Sequence, residues 1–400
     1  MSRSSDTGPV HISGTVADGF EPVRDAFVES FRSRNELGAA CAVYHRGKPV
    51  VDLWGGYRDV AGERPWEEET MVLVFSTTKG MAATAMAVAH SQGLFELDDP
   101  IATHWPSFGQ NGKAGITIRQ LLAHQAGLVV LDERLSPDQI ADRTYLTNLL
   151  EKKRPDWEPG QYQGYHAVTL GWYMSELLHQ IDGRRMRQFF AEEVTDPLDL
   201  QFYMGVDEDT NEVSVAELDG FHPLRLLLTT DLSRLRHAVA LLNPRSTARK
   251  SMNCLDVTSF AGLNSPSWRS LEIPSTSGIG TARSMARMYG DLATDGDRLG
   301  IDDRTFEELT ATPAPPPGGR TDVVTEFEAA YSMGYMKPHG NFRFGHTSTA
   351  FGHMGAGGSS AFADPDAEIG FAYAPNRLGV HPRNDPRERA VCEAVYRCLD

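Results

Sequence analysis

Two residues three apart carry the first chemical signal in this chain. In VLVFSTTKGMAATAMAVAHSQGLF (72–95) an apolar, strand-like run stops at Phe75 and a helix of small residues starts at once. Ser76 and Lys79 stand at i and i+3, on one face of the first helical turn. A serine hydroxyl attacks a carbonyl only after a base takes its proton, and a lysine is that base only when neutral. Burial among Met81, Ala82 and Ala83 would bring Lys79 below the ordinary lysine pKa of about 10.4. The chain's seven lysines place just one in a Ser-x-x-Lys. The alternative for this pair is an N-cap serine followed by a solvated first-turn lysine.

A second segment, DWEPGQYQGYHAVTLGWYMSELL (156–178), has a Trp-Glu-Pro-Gly turn and then Tyr165 just before a long amphipathic helix. A tyrosine there, beside a cationic lysine, is expected to have a lowered pKa and to pass a proton to a leaving group. Alone, Tyr162 and Tyr165 read as packing aromatics, and His166 as a neighbour bonding locally. Trp172 falls on the helical repeat and is expected in the core. A third segment, Gly352-His353-Met354-Gly355-Ala356-Gly357-Gly358, leads into an alternating strand. Its glycines permit close backbone approach, so a main-chain N–H can point into a site; the alternative is a tight turn before a buried strand.

The elements that must position these residues are legible in outline. AACAVYH (39–45) and PVVDLWGG (49–56) read as a strand pair around Arg46-Gly47-Lys48. SSAFAD (359–364) and EIGFAYA (368–374) read as strands around a turn, and 385–399 as a helix. Helical spacing fills 77–92, 117–126, 167–181, 185–194 and 281–293. The expected fold is α/β (α+β): an antiparallel sheet drawn from both chain termini and flanked by helices, with a helical region inserted. The expected division is an α/β domain of residues 1–95 and 270–400 and a mainly helical domain of 96–269, the site at their junction. Residues 205–218 and Pro313–Pro317 read as surface loops, and the Leu- and Arg-rich 220–270 as a lid, an acyl-binding wall or plain helix packing.

Composition narrows the function. Lys+Arg 38 against Asp+Glu 54 gives a net charge of −16, without the basic footprint of nucleic-acid binders or anionic-membrane binders. Cys41, Cys254, Cys392 and Cys398 form no Cys-x-x-Cys and no zinc spacing, so no metal is expected. The first twenty residues hold no apolar signal core and no stretch approaches a membrane span, which makes the cytoplasm the expected compartment. The Gly-x-Ser-x-Gly elbow, the His-Glu-x-x-His pair and the phosphate-binding glycine loops are missing. No cofactor is expected.

Together FSTTKG, the Trp-Glu-Pro-Gly turn leading to GYHAVTLGW, and FGHMGAGGSSAFADP resemble the serine β-lactamase and penicillin-binding-protein superfamily, and within it the class C-like family VIII carboxylesterases. ITIRQLLAHQAGL (116–128), GLFELDDPI (93–101) and IPSTSGIGTARSMARMY (273–289) agree, and the likeness spans roughly residues 20–380. The resemblance implies Ser76 as the acylated nucleophile, Lys79 as its proton acceptor and Tyr165 as the relay to the leaving alcohol. His353-Met354-Gly355 takes the place of the Lys-Thr-Gly strand motif. The backbone N–H groups of Ser76 and Ala356 form the implied oxyanion hole. His353, Met354, Gly355 and His166 are the expected substrate contacts.

Two departures bear on substrate. Position 167 is Ala where β-lactamases have Asn, and the strand motif lacks its lysine and threonine. Both favour a neutral ester or amide over a carboxylate-bearing substrate. The preferred reading is a serine carboxylesterase acting on small esters. A transacylase delivering the same acyl group to an amine or alcohol is the alternative, with a β-lactamase or a non-catalytic scaffold behind it.

Overall fold

The computed structural model describes residues 11–206, 214–220, 240, 243–257, 259–340 and 342–399. The first part of the chain forms β1 (Ile12–Val16), α1 (Glu21–Ser33), β2 (Gly38–His45), β3 (Lys48–Gly56), β4 (Val72–Leu73) and α2 (Thr78–Ser91). The middle supplies α3 (Thr169–Asp182) and β5 (Phe202–Met204). The last part forms β6 (Gly278–Gly280), α4 (Ala282–Leu292), β7 (Tyr331–Ser332), β8 (Tyr335–Met336), β9 (Phe351–Met354), β10 (Ser360–Asp364), β11 (Ile369–Pro375) and α5 (Pro386–Arg397).

Eight strands make one antiparallel sheet in the order β1-β3-β2-β11-β10-β9-β8-β7. The two termini therefore meet at its centre, where β2 pairs with β11 in the register Ala42↔Ala372. Small residues on these strands let helix α4 settle on one face. A Cβ on Gly370 would fall 2.2 Å from the Gly290 backbone nitrogen, so the two glycines are what the helix-to-sheet distance requires. The opposite face carries α1 and α5, packed on Phe27, Phe371 and Val391. β4, β6 and β5 form a separate small sheet.

Helix α2 is the hinge between sequence and chemistry. Its run of Gly, Ala, Met, Thr and Val leaves no polar face, and every residue from Thr78 to His90 is buried. A helix apolar all round has nowhere to go but the interior, and Lys79 is carried inside with it. The expected helix pattern across the middle is met at Ile118–Leu122, α3 and Met186–Phe190. Two expectations change. The strand before Ser76 ends at Leu73, because Val74 and Phe75 turn into a 3-10 segment. Residues 207–213, half of the expected loop 205–218, lie outside the described residues, and so do 221–239, 241–242 and 258, which takes most of the first half of the 220–270 lid or wall reading with them. Among the described residues no helix is long and apolar enough to cross a membrane.

Candidate active site

The chain reaches Ser76 through a bend. Phe75 has φ +49°, a left-handed conformation that costs a bulky residue about 1–3 kcal/mol. Its ring is held edge-on against Phe260, centroids 5.9 Å apart. The bend ends β4 and starts a 3-10 turn, Phe75–Thr77, which leaves Ser76 partly exposed at the mouth of the buried helix α2.

Lys79 is fully buried, and its Nζ lies 2.7 Å from Ala167 O, 3.0 Å from Ser275 O and 3.2 Å from Ser76 Oγ. Burial holds its pKa well below the ordinary lysine value. A neutral amine has two N–H groups and one lone pair. The two carbonyls accept both N–H groups, so the lone pair is left facing the Ser76 hydroxyl. Position 167, where a side-chain amide was missed in the sequence, supplies a main-chain carbonyl instead.

Tyr165 stands over the same space, with Lys79 Nζ 4.8 Å from its ring centroid and the Ser76 side chain hydrogen-bonded to its phenol. Here one expectation is corrected. The phenol is pushed above the usual tyrosine range, not below it, because burial outweighs the Ser76 hydrogen bond. The Lys79 ammonium, itself disfavoured by burial, does not offset this. Tyr165 is thus a proton donor in its resting form.

Three buried histidines line the floor. His353 Nδ1 is 2.8 Å from Met354 O. A carbonyl only accepts, so Nδ1 carries the hydrogen and Nε2 presents a lone pair, which is buried without a partner. Burial lowers the His353 pKa to about 3. His166 was expected among the substrate contacts, and this is also corrected. It is fully buried, its Nε2 accepts from Leu128 N–H at 3.1 Å, and its Nδ1 is 2.8 Å from Gly164 O. Both nitrogens serve the chain. His124 takes up the His166 N–H at 3.0 Å and lies 5.0 Å from the Tyr165 ring.

The glycine-rich turn meets Ser76 from the other side. A Cβ on Gly355 would fall 2.2 Å from Val74 O and 3.1 Å from Thr77 Oγ1, so only glycine allows this approach. Ser359 Oγ donates to Val74 O at 2.8 Å and shares a hydrogen bond with Thr77 Oγ1 at 3.0 Å, which ties the turn to the Ser76 segment. Ala356 is exposed, and among the described residues no acceptor takes its N–H or that of Ser76. Met354 is partly buried and lends its carbonyl to His353.

Residues the sequence did not single out complete the frame. Asp322, fully buried, accepts from the Tyr165 N–H, from Thr325 N–H at 2.7 Å and from Tyr331 O–H at 2.9 Å, and so fixes the loop that carries Tyr165. Ser275 holds Lys79 by its carbonyl while its Oγ accepts Gly171 N–H at 2.6 Å. Ser275 acts through its carbonyl and the Asp322 carboxylate acts on backbone N–H groups, and such main-chain partners leave no mark in a pattern of side-chain types. All four cysteines are unbridged.

The arrangement places a buried amine held by two carbonyls and a phenol beside one hydroxyl, with the glycine-rich turn packed against the same segment, a set suited to acyl transfer. Comparison with known proteins agrees. The family model described as Beta-lactamase matches residues 23–396. The chain is 34% identical over 384 residues to Esterase/beta-lactamase LipL of Mycobacterium tuberculosis, across 94% of this chain and 86% of that protein. Among solved structures it is similar to a family VIII carboxylesterase, with 33% identity and a TM-score of 0.85, over 97% of this chain and 100% of the other. A penicillin-binding protein homolog from Caulobacter crescentus gives 33% and 0.83 over the same shares. Matched along nearly its whole length in sequence and in fold, the chain belongs to the beta-lactamase family.

Proposed function

We propose that this protein is a carboxylesterase that acylates Ser76 with small, uncharged esters and releases the acid by hydrolysis. The observation that carries the reading is the buried Lys79, both of whose N–H groups are taken by carbonyls, 3.2 Å from Ser76 Oγ. Lys79 takes the Ser76 proton as Oγ attacks the ester carbon. The N–H groups of Ser76 and Ala356 hold the charge that develops on the carbonyl oxygen. When the tetrahedral adduct collapses, the C–O bond to the alcohol breaks and Tyr165 gives that oxygen a proton, regaining one from the Lys79 ammonium. Water then attacks the acyl-Ser76 ester by the same route, the acid leaves and Ser76 is restored.

Substrate charge follows from the floor of the site. With the His353 pKa lowered to about 3, the position of the superfamily's strand lysine is uncharged at neutral pH. Met354 adds an apolar side chain, and a chain of net charge −16 repels anions. Uncharged esters fit this site, and carboxylate-bearing lactams or peptides do not. The curated relative LipL carries both the names esterase and beta-lactamase, so both substrates belong in one assay.

The test is p-nitrophenyl acetate and butyrate beside benzylpenicillin, with mass spectrometry of the protein after a fluorophosphonate. Ester turnover, a mass adduct on Ser76 and a penicillin kcat/KM at least a hundredfold lower are expected, about 3 kcal/mol of discrimination. No turnover of either ester together with no adduct would end the reading. Added amines or alcohols decide between water and another acceptor: free acid as the main product supports hydrolysis, whereas amide or ester in its place assigns the acyl-enzyme to transfer.

Tyr165→Phe gives a narrower result. It removes only the phenolic proton and keeps the ring over Lys79. The expected loss is about a hundred- to ten-thousandfold in kcat/KM, larger for an alkyl ester, whose alkoxide needs the proton, than for p-nitrophenolate, which leaves unaided. Equal losses on the two esters would remove Tyr165 from the leaving-group step.

A further inference from the structure

The stretch ITIRQLLAHQAGL (116–128) ends its helix on an uncommon residue. His124 N–H bonds back to Leu121 O at 3.0 Å and Gln125 N–H to Gln120 O at 2.7 Å, which closes the helix Ile118–Leu122. This closure puts the residue after the C-cap in the left-handed region, where glycine is the usual occupant. Here His124 occupies it, at φ +58° and fully buried. A residue other than glycine there costs about 1–3 kcal/mol and persists only where its surroundings over-determine it. The contacts of the His124 carbonyl and ring supply that determination.

They centre on Tyr165 and its two neighbours. Gly164 N–H donates to His124 O at 2.9 Å, and His166 N–H donates to His124 Nδ1 at 3.0 Å. His166 Nδ1, which carries that ring's hydrogen, stands 3.2 Å from the same His124 nitrogen. Tyr165 N–H goes to the Asp322 carboxylate. Three successive N–H groups are thus anchored, two of them on one residue. The His124 ring also meets the Tyr165 ring at 5.0 Å and the Tyr331 ring at 4.5 Å, centroid to centroid. Burial holds the His124 pKa well below the ordinary histidine value, so Nδ1 keeps its lone pair.

We propose that His124 is a positioning residue for Tyr165: its Nδ1 and carbonyl fix the backbone of 164–166 so that the phenol stays on the Ser76 side chain. This role rests on the leaving-group step proposed for Tyr165 and adds the residue that aims the phenol. Glycine would end the helix at lower cost but would bring no acceptor for His166 N–H. Asp322 alone would hold one N–H and leave the peptide units on either side free to turn. A reacting group misplaced by about 1 Å loses up to about a hundredfold in rate.

The experiment compares His124→Phe, which keeps a ring and removes the acceptor, with His124→Asn, which keeps an acceptor near the place of Nδ1 and suits a left-handed φ. Should His124→Phe not fold, His124→Gly removes the acceptor at a φ that glycine prefers and takes its place. The substrates are ethyl butyrate, whose alkoxide needs the Tyr165 proton, and p-nitrophenyl butyrate, whose leaving group does not. His124→Phe should lower kcat about ten- to a hundredfold on the ethyl ester and less on the other, with KM little changed. His124→Asn should recover most of that loss, and His124→Phe added to Tyr165→Phe should lose nothing more on the ethyl ester. Fluorine NMR of protein carrying fluorotyrosine reads the ring without turnover, the Tyr165 resonance being the one missing in Tyr165→Phe. It should be single in the wild type, split or broadened in His124→Phe and single again in His124→Asn. Equal losses on the two esters, no recovery in His124→Asn, or a Tyr165 resonance that stays single and sharp in His124→Phe overturns the proposal. A wild type that turns over neither ester, but whose Tyr165 resonance responds as described, removes the esterase reading and leaves His124 as the residue that positions Tyr165.

Discussion

Replacing Lys79 by methionine is expected to lower kcat/KM for p-nitrophenyl butyrate about a thousand- to a hundred-thousandfold, with Ser76→Ala as damaging and the double variant no worse than either. Groups that work as one unit do not lose activity additively, because the second deletion removes nothing the first left working. Lys79→Arg should fail equally, since a guanidinium never gives up its charge at the pH of the assay. Full turnover in Lys79→Met would remove the amine from the reaction. The pH profile carries the same argument with a definite sign. A base works in its unprotonated form, so the rate rises with pH through the Lys79 pKa and then levels. Because burial lowers that pKa well below the ordinary lysine value, the plateau begins well short of about 10.4. His166 and His353, each lowered to about 3 by burial, stay neutral and contribute no limb near neutrality.

Stability offers a second view of the same lysine. Its depressed folded pKa means that the unfolded chain binds the proton more readily, so this residue makes stability increase as pH climbs from the folded value toward about 10.4. Lys113, lowered to about 8, and Lys337, lowered to about 7, both by burial, slope the same way. The difference between wild type and Lys79→Met in urea unfolding isolates the Lys79 share: the wild type has the rising limb in excess. Parallel curves would place the amine in water.

What the sequence made visible, and what it hid, divides along a physical line. Strands 39–45 and 49–56, the pair around Asp364-Pro365-Asp366 and the last helix are all present within a residue or two, because alternation and turn chemistry are local. Ser76, Lys79 and Tyr165 come together as expected, since two of them share a helical turn and the third sits at a helix entrance. The direction of the Tyr165 shift was not legible: it depends on how completely neighbours from distant segments enclose the phenol. His166 bonds locally to Gly164 as its sequence position suggested, but the Leu128 N–H that takes its other nitrogen, and with it any substrate contact, comes from a distant segment. The strained φ of Phe75, the Ser275 carbonyl on Lys79 and the backbone N–H groups held by the Asp322 carboxylate escaped for a related reason: a sequence reports side chains, and these contacts depend on main-chain geometry. Strand β1 and helix α1 lay before the first recognisable hairpin and were not marked out.

Arg387→Met is expected to destabilise the fold by about 3–5 kcal/mol, the cost of leaving a buried charge unpaired. Arg387 is 3% exposed and sits on α5, far along the chain from every motif. Its guanidinium donates to both Asp385 oxygens at 2.9 Å and to Glu36 at 3.1 and 3.2 Å. Glu36 also accepts from Tyr373 O–H at 2.6 Å, so β11, the start of α5 and the loop before β2 share one network. The same guanidinium donates to Gly357 O at 2.7 Å, and Gly379 N–H reaches that oxygen at 2.9 Å. Gly357 follows Ala356, so the buried cation holds the turn whose N–H is proposed to serve the oxyanion. Two effects should therefore separate. Urea unfolding reads the lost pairing, and Glu36→Gln added to Arg387→Met should recover part of it by removing the stranded carboxylate. Ester kinetics at a temperature where the variant is fully folded read the turn: kcat should fall about tenfold or more with KM little changed, since the loosened N–H serves charge that appears only in the transition state. Arg387→Lys keeps the charge but not the fork, so it should restore more stability than kcat. An unchanged kcat in a destabilised Arg387→Met would confine this arginine to the fold. A selective loss of kcat would make it a positioning residue for the oxyanion turn, reached through one carbonyl.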